Sequence, residues 1–139
     1  MGASIPAFST NVAGEDGDDT LDQRTPGSYC GLDGGRGADR LLAYFCTEVG
    51  GPGRDVMTRH FDQPAGGRTD GGEGGDIMVG GSGAGSFDGG PGDDFIQAAV
   101  NGLADTVVCG EGNDTVRANA ADTVAADCES VTRVEPPAP

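Results

Sequence analysis

The chain has 139 residues, of which 27 are Gly, none is Trp and 5% are aromatic, and its formal net charge is −15. Its length limits it to one domain at most, and so few large apolar side chains cannot build an ordinary globular core. The acidic charge disfavours nucleic acid and anionic membranes as partners, because both are bound through Lys and Arg. Composition alone therefore indicates a disordered acidic chain, unless a repeated pattern supplies order.

Residues 1–13 precede the first repeated pattern and are predicted to form an entry or cap segment. Ile5, Phe8 and Val12 are its larger apolar residues. At the open end of a repeat array, strand edges and apolar side chains are otherwise exposed. We therefore expect these three residues to cover the first coil.

A nine-residue pattern, Gly-Gly-x-Gly-x-Asp-x-apolar-x, then occurs six times between residues 14 and 117. Four copies match it at every fixed position, whereas the first has Glu15 and the last has Cys109 in place of a Gly. Each copy supplies a Gly-rich turn, an Asp at the sixth place and an apolar residue at the eighth. The copies are GEDGDDTLD (14–22), GGRGADRLL (34–42), GGPGRDVMT (50–58), GGEGGDIMV (71–79), GGPGDDFIQ (89–97) and CGEGNDTVR (109–117).

The spacing of the copies predicts a coiled architecture. Successive copies begin 20, 16, 21, 18 and 20 residues apart, a mean of 19, which is about one coil of two short strands and two turns. Because side chains alternate along a strand, the seventh-place residues are predicted to point outward and the eighth-place residues inward. The predicted core row is Leu21, Leu41, Met57, Met78, Ile96 and Val116, faced by Phe87, Val107 and Val124.

A second row of units lies between these copies and has lost most of the pattern. GGSGAGSFD (80–88) has Gly85 where the Asp would be, VNGLADTVV (100–108) keeps Asp105 but not the glycines, and ADTV recurs at 121–124. We therefore predict that one edge of the coils carries the chemistry and that the other edge is degenerate. The repeats extend over 14–134, and residues 135–139, EPPAP, are predicted to be a Pro-rich tail or part of a linker.

The nonapeptide resembles the repeat of RTX-type (haemolysin-type calcium-binding) proteins over residues 14–134. The ending DTVVCGEGNDTVRANAADTVAADCESV (105–131) resembles the tails of secreted actinobacterial members of that family. The resemblance implies an all-β, right-handed parallel β-roll or β-solenoid that binds Ca²⁺ in its Gly-Asp turns and works outside a bacterial cell, in millimolar calcium. The carboxylate ligands it implies are Asp19, Asp39, Asp55, Asp76, Asp94 and Asp114. The turn carbonyls it implies as ligands belong to Gly34, Gly37, Gly50, Gly53, Gly71, Gly74, Gly89 and Gly92.

Physical reasoning from the residues also favours a cation. A core one side chain wide cannot offset backbone ordering at about 1–2 kcal/mol per residue. Stacked coils also bring the sixth-place carboxylates together, which is unfavourable unless a cation lies between them. Ca²⁺ takes six to eight oxygens from carboxylates and carbonyls. Six turns enclose five gaps, and five ions of charge +2 would change the formal charge from −15 to about −5.

Four cysteines fall at one-coil offsets. Cys30 and Cys46 each lie four residues before a copy of the pattern, and Cys109 and Cys128 are 19 residues apart. Stacked strands lie about 4.8 Å apart, a separation that a disulfide accepts, so we predict Cys30–Cys46 and Cys109–Cys128 bridges. A zinc or redox site is disfavoured because C-x-x-C is absent and His60 is the only imidazole. Two bridges would indicate an oxidising, extracellular compartment.

Two functional hypotheses follow, and neither is catalytic. The first is a secreted module that binds calcium and folds outside the cell. The second is a structural or adhesive unit that self-associates into fibres through its open coil ends. An enzyme is disfavoured because the chain has one His and no Gly-x-Ser-x-Gly. We expect no nucleic-acid partner and no membrane insertion, since the longest apolar run, 41–46, is far shorter than a bilayer span.

Overall fold

The structure of the protein is a computed structural model. It describes residues 4–6, 11–22, 31–43, 47–59, 67–80, 84–98 and 104–134, of which 4–6 and 11–12 are described as backbone only. Within these ranges the regular structure is entirely β, and fifteen short strands form two parallel sheets. No helix in the described ranges is long and apolar enough to span a membrane.

Six strands of sheet 1 follow the six Gly-Asp turns, and one further strand extends the sheet at each end; sheet 2 is formed by the alternate strands of the chain. In spatial order, sheet 1 contains β1 (Ser4–Pro6), β3 (Thr20–Asp22), β5 (Arg40–Ala43), β7 (Val56–Arg59), β9 (Ile77–Val79), β11 (Phe95–Gln97), β13 (Thr115–Ala118) and β15 (Ser130–Arg133). Sheet 2 contains β14 (Thr123–Val124), β12 (Thr106–Val108), β10 (Ser86–Asp88), β8 (Arg68–Asp70), β6 (Thr47–Val49), β4 (Gly31–Asp33) and β2 (Asn11–Ala13).

The strand register is the register of the sequence repeat. Each strand pairs with the strand two places later in the chain, so consecutive coils stack directly on one another. In sheet 1, Leu21 pairs with Leu41, which pairs with Met57 of the next coil. The same alignment continues from Ile96 to Val116. The predicted all-β parallel solenoid of about six coils is confirmed, and its handedness stays a prediction.

The core is a seam between the two sheets. All six predicted eighth-place residues have 0% exposure, and Phe87 and Val107 face them from sheet 2 at 1% and 0%. Val124 is partly buried and packs against the same cluster. The seventh-place residues are half-buried or exposed, so the predicted strand alternation is also confirmed.

A buried polar cluster, which the repeat pattern does not predict, interrupts this seam. Glu48 occupies a core place in sheet 2, between Leu32 and Thr69 in the strand register. Glu48 is fully buried and its Oε2 lies 3.8 Å from Nε of Arg59, which is itself 3% exposed. Thr69 Oγ1 donates to Glu48 Oε2 at 3.1 Å and accepts from Arg59 Nε at 3.2 Å. The Arg59 guanidinium therefore lies inside the solenoid beside the Glu48 carboxylate, and a buried charge requires such a partner.

The two ends of the described chain continue the coils. β1 pairs with β3, and β2 pairs with β4, so the segment before residue 14 contributes one strand to each sheet. At the other end β15 pairs with β13 through four residues, Ser130 to Arg133. The boundaries at residues 13 and 134 stay predictions.

Candidate metal centre

The Gly-Asp turns depend on glycine at the second and fourth places of the motif. In the second copy, Gly35 has φ of 86° and Gly37 has φ of 131°, and the other copies repeat this pair of left-handed conformations. A side chain is rarely accommodated there. The first copy keeps the conformation despite its substitution, since Glu15 has φ of 75°. The backbone path of the turn is therefore the same in all six copies.

Glycine is also required by the close stacking of the turns. A Cβ added to Gly51 or Gly53 would collide with the carbonyl oxygen of Gly35 or Gly37 in the preceding turn. The stacked turns are also joined by backbone hydrogen bonds. The N–H of the fourth-place residue donates to the carbonyl of the third-place residue in the following turn, as Gly53 N does to Glu73 O at 2.8 Å. The turns thus stack backbone against backbone, which brings the sixth-place side chains of neighbouring coils together.

The sixth-place aspartates form a continuous hydrogen-bonded row. In each coil, the backbone N–H of the aspartate donates to Oδ1 of the aspartate in the next coil. The five links of the row are Asp19 to Asp39 at 2.7 Å, and Asp39 to Asp55, Asp55 to Asp76, Asp76 to Asp94 and Asp94 to Asp114 at 2.8 Å. All six carboxylates are 0–2% exposed. The structure therefore brings together every aspartate that the motif predicted.

Oδ2, the other carboxylate oxygen of these aspartates, does not take part in the hydrogen-bonded row. The Oδ2 atoms of five of these aspartates are buried and accept no hydrogen bond from the described part of the chain. Buried polar atoms in this state are rare, and each is costly. The five are Asp39, Asp55, Asp76, Asp94 and Asp114.

The first-place glycine defines where these oxygens converge. A Cβ added to Gly34 would lie 2.5 Å from Asp39 Oδ2 and 2.6 Å from the carbonyl oxygen of Gly50 in the next turn. The same two contacts recur at Gly71, with Asp76 Oδ2 at 2.5 Å and the next first-place carbonyl at 2.6 Å. Absence of a side chain at the first place thus leaves a carboxylate and a carbonyl oxygen facing one common point.

The electrostatics of the row are unfavourable for bare carboxylates. Burial raises the pKa of Asp55 to about 6, of Asp94 to about 7 and of Asp76 to about 8. The N–H that donates to each Oδ1 opposes the rise, and neighbouring carboxylates add to it. Burial also raises the pKa of Asp39 and Asp114. The row therefore needs either protons or a positive ion.

The donor set fits calcium. It consists of carboxylate and main-chain carbonyl oxygens, which are the ligands that calcium takes, whereas zinc prefers nitrogen and sulfur. Carbonyls of Gly34, Gly50, Gly71 and Gly89 face the Oδ2 side of the aspartate in the preceding coil, whereas those of Gly37, Gly53, Gly74 and Gly92 lie against the fourth-place glycine of the next turn. Coordination by either set stays a prediction.

One carboxylate on the opposite edge repeats part of this arrangement. Asp105 is 2% exposed, and its Oδ1 accepts from Gly85 N at 2.5 Å. Its own N–H donates to Asp122 Oδ1 at 2.8 Å. Oδ2 of Asp105 has no hydrogen-bond partner in the described ranges, and burial raises its pKa to about 6. The turn before it, 99–103, lies outside the described residues, so the prediction of a single calcium-binding edge stays a prediction.

At its carboxyl-terminal end, the row of aspartates meets Glu129 and the Cys109–Cys128 disulfide. Asp114 N donates to Glu129 Oε2 at 2.9 Å, so Glu129 takes the place of a seventh aspartate. Glu129 was not among the predicted ligands, although Val131 two places later repeats the acid-x-apolar spacing. Cys109 is bonded to Cys128, as predicted, with a Cα–Cα distance of 5.2 Å. This bridge fits an oxidising compartment.

The other predicted bridge, Cys30–Cys46, lies outside the described residues. The residues that follow these cysteines, Gly31 and Thr47, are partners in the strand register. The pairing stays a prediction.

The parallel solenoid with stacked coils is compatible with the RTX-like β-roll that the motif indicates. Comparison of the chain with protein-family models, with curated proteins and with solved structures yields no match.

Proposed function

We propose that this domain binds Ca²⁺ between its stacked Gly-Asp turns and folds as it does so. The proposal is carried by four buried Oδ2 atoms that lack hydrogen-bond partners in the described chain and face a carbonyl of the next turn, those of Asp39, Asp55, Asp76 and Asp94. A buried carboxylate is stable only with a compensating charge or hydrogen bonds.

Each part of the turn has a distinct task in this proposal. Oδ1 accepts the N–H of the preceding aspartate and fixes the side chain. Oδ2 and the first-place carbonyl are presented as ligands, and the first-place glycine keeps a side chain from lying between them. Bound Ca²⁺ supplies the positive charge that the row requires. Because the ligands come from separate coils, they converge only when the coils stack, so binding stabilises the fold.

The biological setting is part of the same proposal. A disulfide and a calcium requirement both suit an extracellular environment, where the domain would become rigid after export. We propose no catalytic role and no nucleic-acid or membrane partner.

The proposal is tested by counting calcium. Equilibrium dialysis of the intact, oxidised chain against millimolar calcium should give about five ions per chain, one for each gap between adjacent motif turns. An excess of Mg²⁺ should not displace them, because Mg²⁺ requires shorter bonds and stricter octahedral geometry. Absence of bound calcium at millimolar concentration would reject the proposal.

The structure also supplies an observation for the second hypothesis, self-association into fibres. β15 ends sheet 1 and has β13 as its neighbour. All four of its residues are exposed, including Val131 at 39%. An exposed terminal strand is a template for pairing with another chain. Small-angle scattering in calcium separates the two hypotheses: a compact monomer supports the folding module, and particles that lengthen with protein concentration support the fibre.

A further inference from the structure

The sixth Gly-Asp turn departs from the other five at its first residue. The other five copies begin with glycine, whereas the sixth begins with Cys109. In each of those five, a Cβ at the first place would lie 2.5–2.6 Å from the Oδ2 atom of its own aspartate and 2.6 Å from a carbonyl of the next turn. The first place is thus the position at which a side chain would meet the proposed calcium ligands.

The backbone of the sixth turn keeps the path of the others. Gly110 and Gly112 have φ of 95° and 128°, within the ranges of their counterparts. The residue before the turn accepts from the fifth turn in the usual way, since Gly89 N donates to Val108 O at 2.9 Å. Cys109 is fully buried, and its own carbonyl faces Gly89 as the other first-place carbonyls do. The Cβ of Cys109 therefore enters the space that glycine leaves open elsewhere.

The interval beyond the sixth turn is closed by covalent and side-chain contacts. Cys109 is joined to Cys128 of the final coil. Asp127 accepts from Cys109 N at 3.2 Å and from Gly110 N at 3.0 Å, where the first-place N–H of earlier turns donates to a main-chain carbonyl. Asp114 still has a buried Oδ2 without a hydrogen-bond partner in the described chain, and Glu129 accepts from its N–H. Acidic oxygens are thus present in this interval, but the first place is filled.

We propose that the Cys109–Cys128 disulfide takes the place of a sixth calcium ion. It ends the row of cation sites at the fifth gap and joins the last two coils without metal. This inference rests on the proposed calcium function and specifies where that function stops. Its consequence is that the carboxyl-terminal end of the stack is held together before calcium arrives.

A pair of variants that differ by one methyl group tests the proposal. Cys109→Gly/Cys128→Ser removes the bridge and reopens the first place, and calcium bound per chain, counted by native mass spectrometry at saturation, should rise by one. Cys109→Ala/Cys128→Ser removes the bridge but keeps the Cβ, and its count should equal that of the wild type. A folded glycine variant without the extra ion, or an alanine variant that gains one, would overturn the proposal.

A second pair decides the matter in the bridged chain if the glycine variant does not fold. Asp94 borders two gaps of the row, so Asp94→Ala should lower the calcium count by two. Asp114 borders the fifth gap and the disulfide-closed interval, so Asp114→Ala should lower it by one. A loss of two ions in Asp114→Ala would show that a cation occupies the sixth interval. If the wild type binds no calcium, the proposed function itself fails. If the wild type binds calcium and the folded Cys109→Gly/Cys128→Ser variant binds the same number of ions, only this inference is rejected.

Discussion

The sixth-place aspartates divide their two oxygens between structure and ligand binding. Oδ1 accepts a backbone N–H from the preceding coil, as in the 2.8 Å bond from Asp76 N to Asp94 Oδ1. In the four copies from Asp39 to Asp94, Oδ2 is buried beside a first-place glycine and has no hydrogen-bond partner in the described chain. A carboxylate in this position joins neighbouring coils on both of its sides. Its removal should therefore affect two gaps, whereas a solvent-facing carboxylate in the same turn should affect none.

Asp94→Ala should raise the calcium concentration for half-folding markedly, because it removes a carboxylate that borders two gaps. It also removes a buried acceptor, which costs about 1–3 kcal/mol, and because folding is linked to about five ions, that cost alone shifts the midpoint by less than about tenfold. Asp93→Ala is the matched control, because Asp93 is exposed and one residue away, and its Oδ1 also accepts one N–H of the next turn, from Asn113 at 2.9 Å. Calcium titrations followed by circular dichroism measure both midpoints. Equal shifts in the two variants would show that the row is not the binding site.

Asp105→Ala tests whether the opposite edge of the coils also binds calcium, and it can be measured in the same titration as Asp94→Ala. Its loss leaves Gly85 N without an acceptor, at a cost of about 1–3 kcal/mol. If cations bind one edge only, the number of bound calcium ions should not change. A lost ion in Asp105→Ala would show that calcium binds both edges.

The pKa values of the row predict opposite pH responses with and without calcium. Folding raises these pKa values above their unfolded value of about 3.9, to about 7 for Asp94 and about 8 for Asp76. Their contribution to stability is therefore fully present below about pH 4 and is lost progressively as pH rises from there through about 7 to 8. In chelator, the protein should show more β-structure at about pH 5 than at about pH 8.

Calcium affinity should have the opposite pH dependence, weakening as pH falls from about 8 to 6, because protons compete for the same oxygens. Circular dichroism in chelator and calcium titrations, each at several pH values, check the two halves of this prediction. Greater β-structure at pH 8 than at pH 5 in chelator would contradict the burial of ionisable carboxylates.

The nine-residue repeat predicts most of the strands and turns and the order in which they stack. Turn and strand are contained in the same nine residues, so spacing alone aligned Leu21, Leu41 and Met57 in one core row. The cluster of Glu48 and Arg59 was not predictable in this way. Its members lie in strands of two different sheets, at places that the nine-residue pattern does not specify.

Gly92→Ala should destabilise the turn, whereas Gly85→Ala should be tolerated. Gly92 has φ of 129°, and a Cβ there would collide with the carbonyl of Gly74. At Gly85 the nearest contacts of a Cβ, 3.5–3.6 Å, are ordinary. We expect a loss of more than about 1 kcal/mol in the first variant and less than about 0.5 kcal/mol in the second. Urea unfolding in saturating calcium measures both, and similar losses would contradict the described stacking of the turns.

Peptide mapping under non-reducing conditions should find Cys30 linked to Cys46. The prediction follows from the one-coil offset, and the partnership of Gly31 with Thr47 places the next residues side by side. Closing a loop of this length should add about 3 kcal/mol by the chain-entropy estimate, so reduction should raise the calcium needed for folding. Cys46 linked to Cys109 would show that the register of these coils is wrong.

The whole molecule is an acidic ribbon with little apolar core. Its formal charge is −15, and the buried hydrophobic cluster contains about one large side chain per strand. The negative charges repel one another, and the fold must hold two sheets of short strands and a row of buried carboxylates together against that repulsion. Burial cannot do so alone, and the proposed cations remove both the repulsion and the cost of the buried charges. At neutral pH, the coils should therefore form only with calcium.

Circular dichroism of the oxidised chain at neutral pH tests this claim most directly. In chelator the spectrum should be largely that of an unfolded chain. Addition of calcium into the millimolar range should restore β-structure in one cooperative transition, and equal Mg²⁺ should not. A β-rich spectrum that chelator leaves unchanged would show that the stacked turns are stable without a cation and would contradict the account.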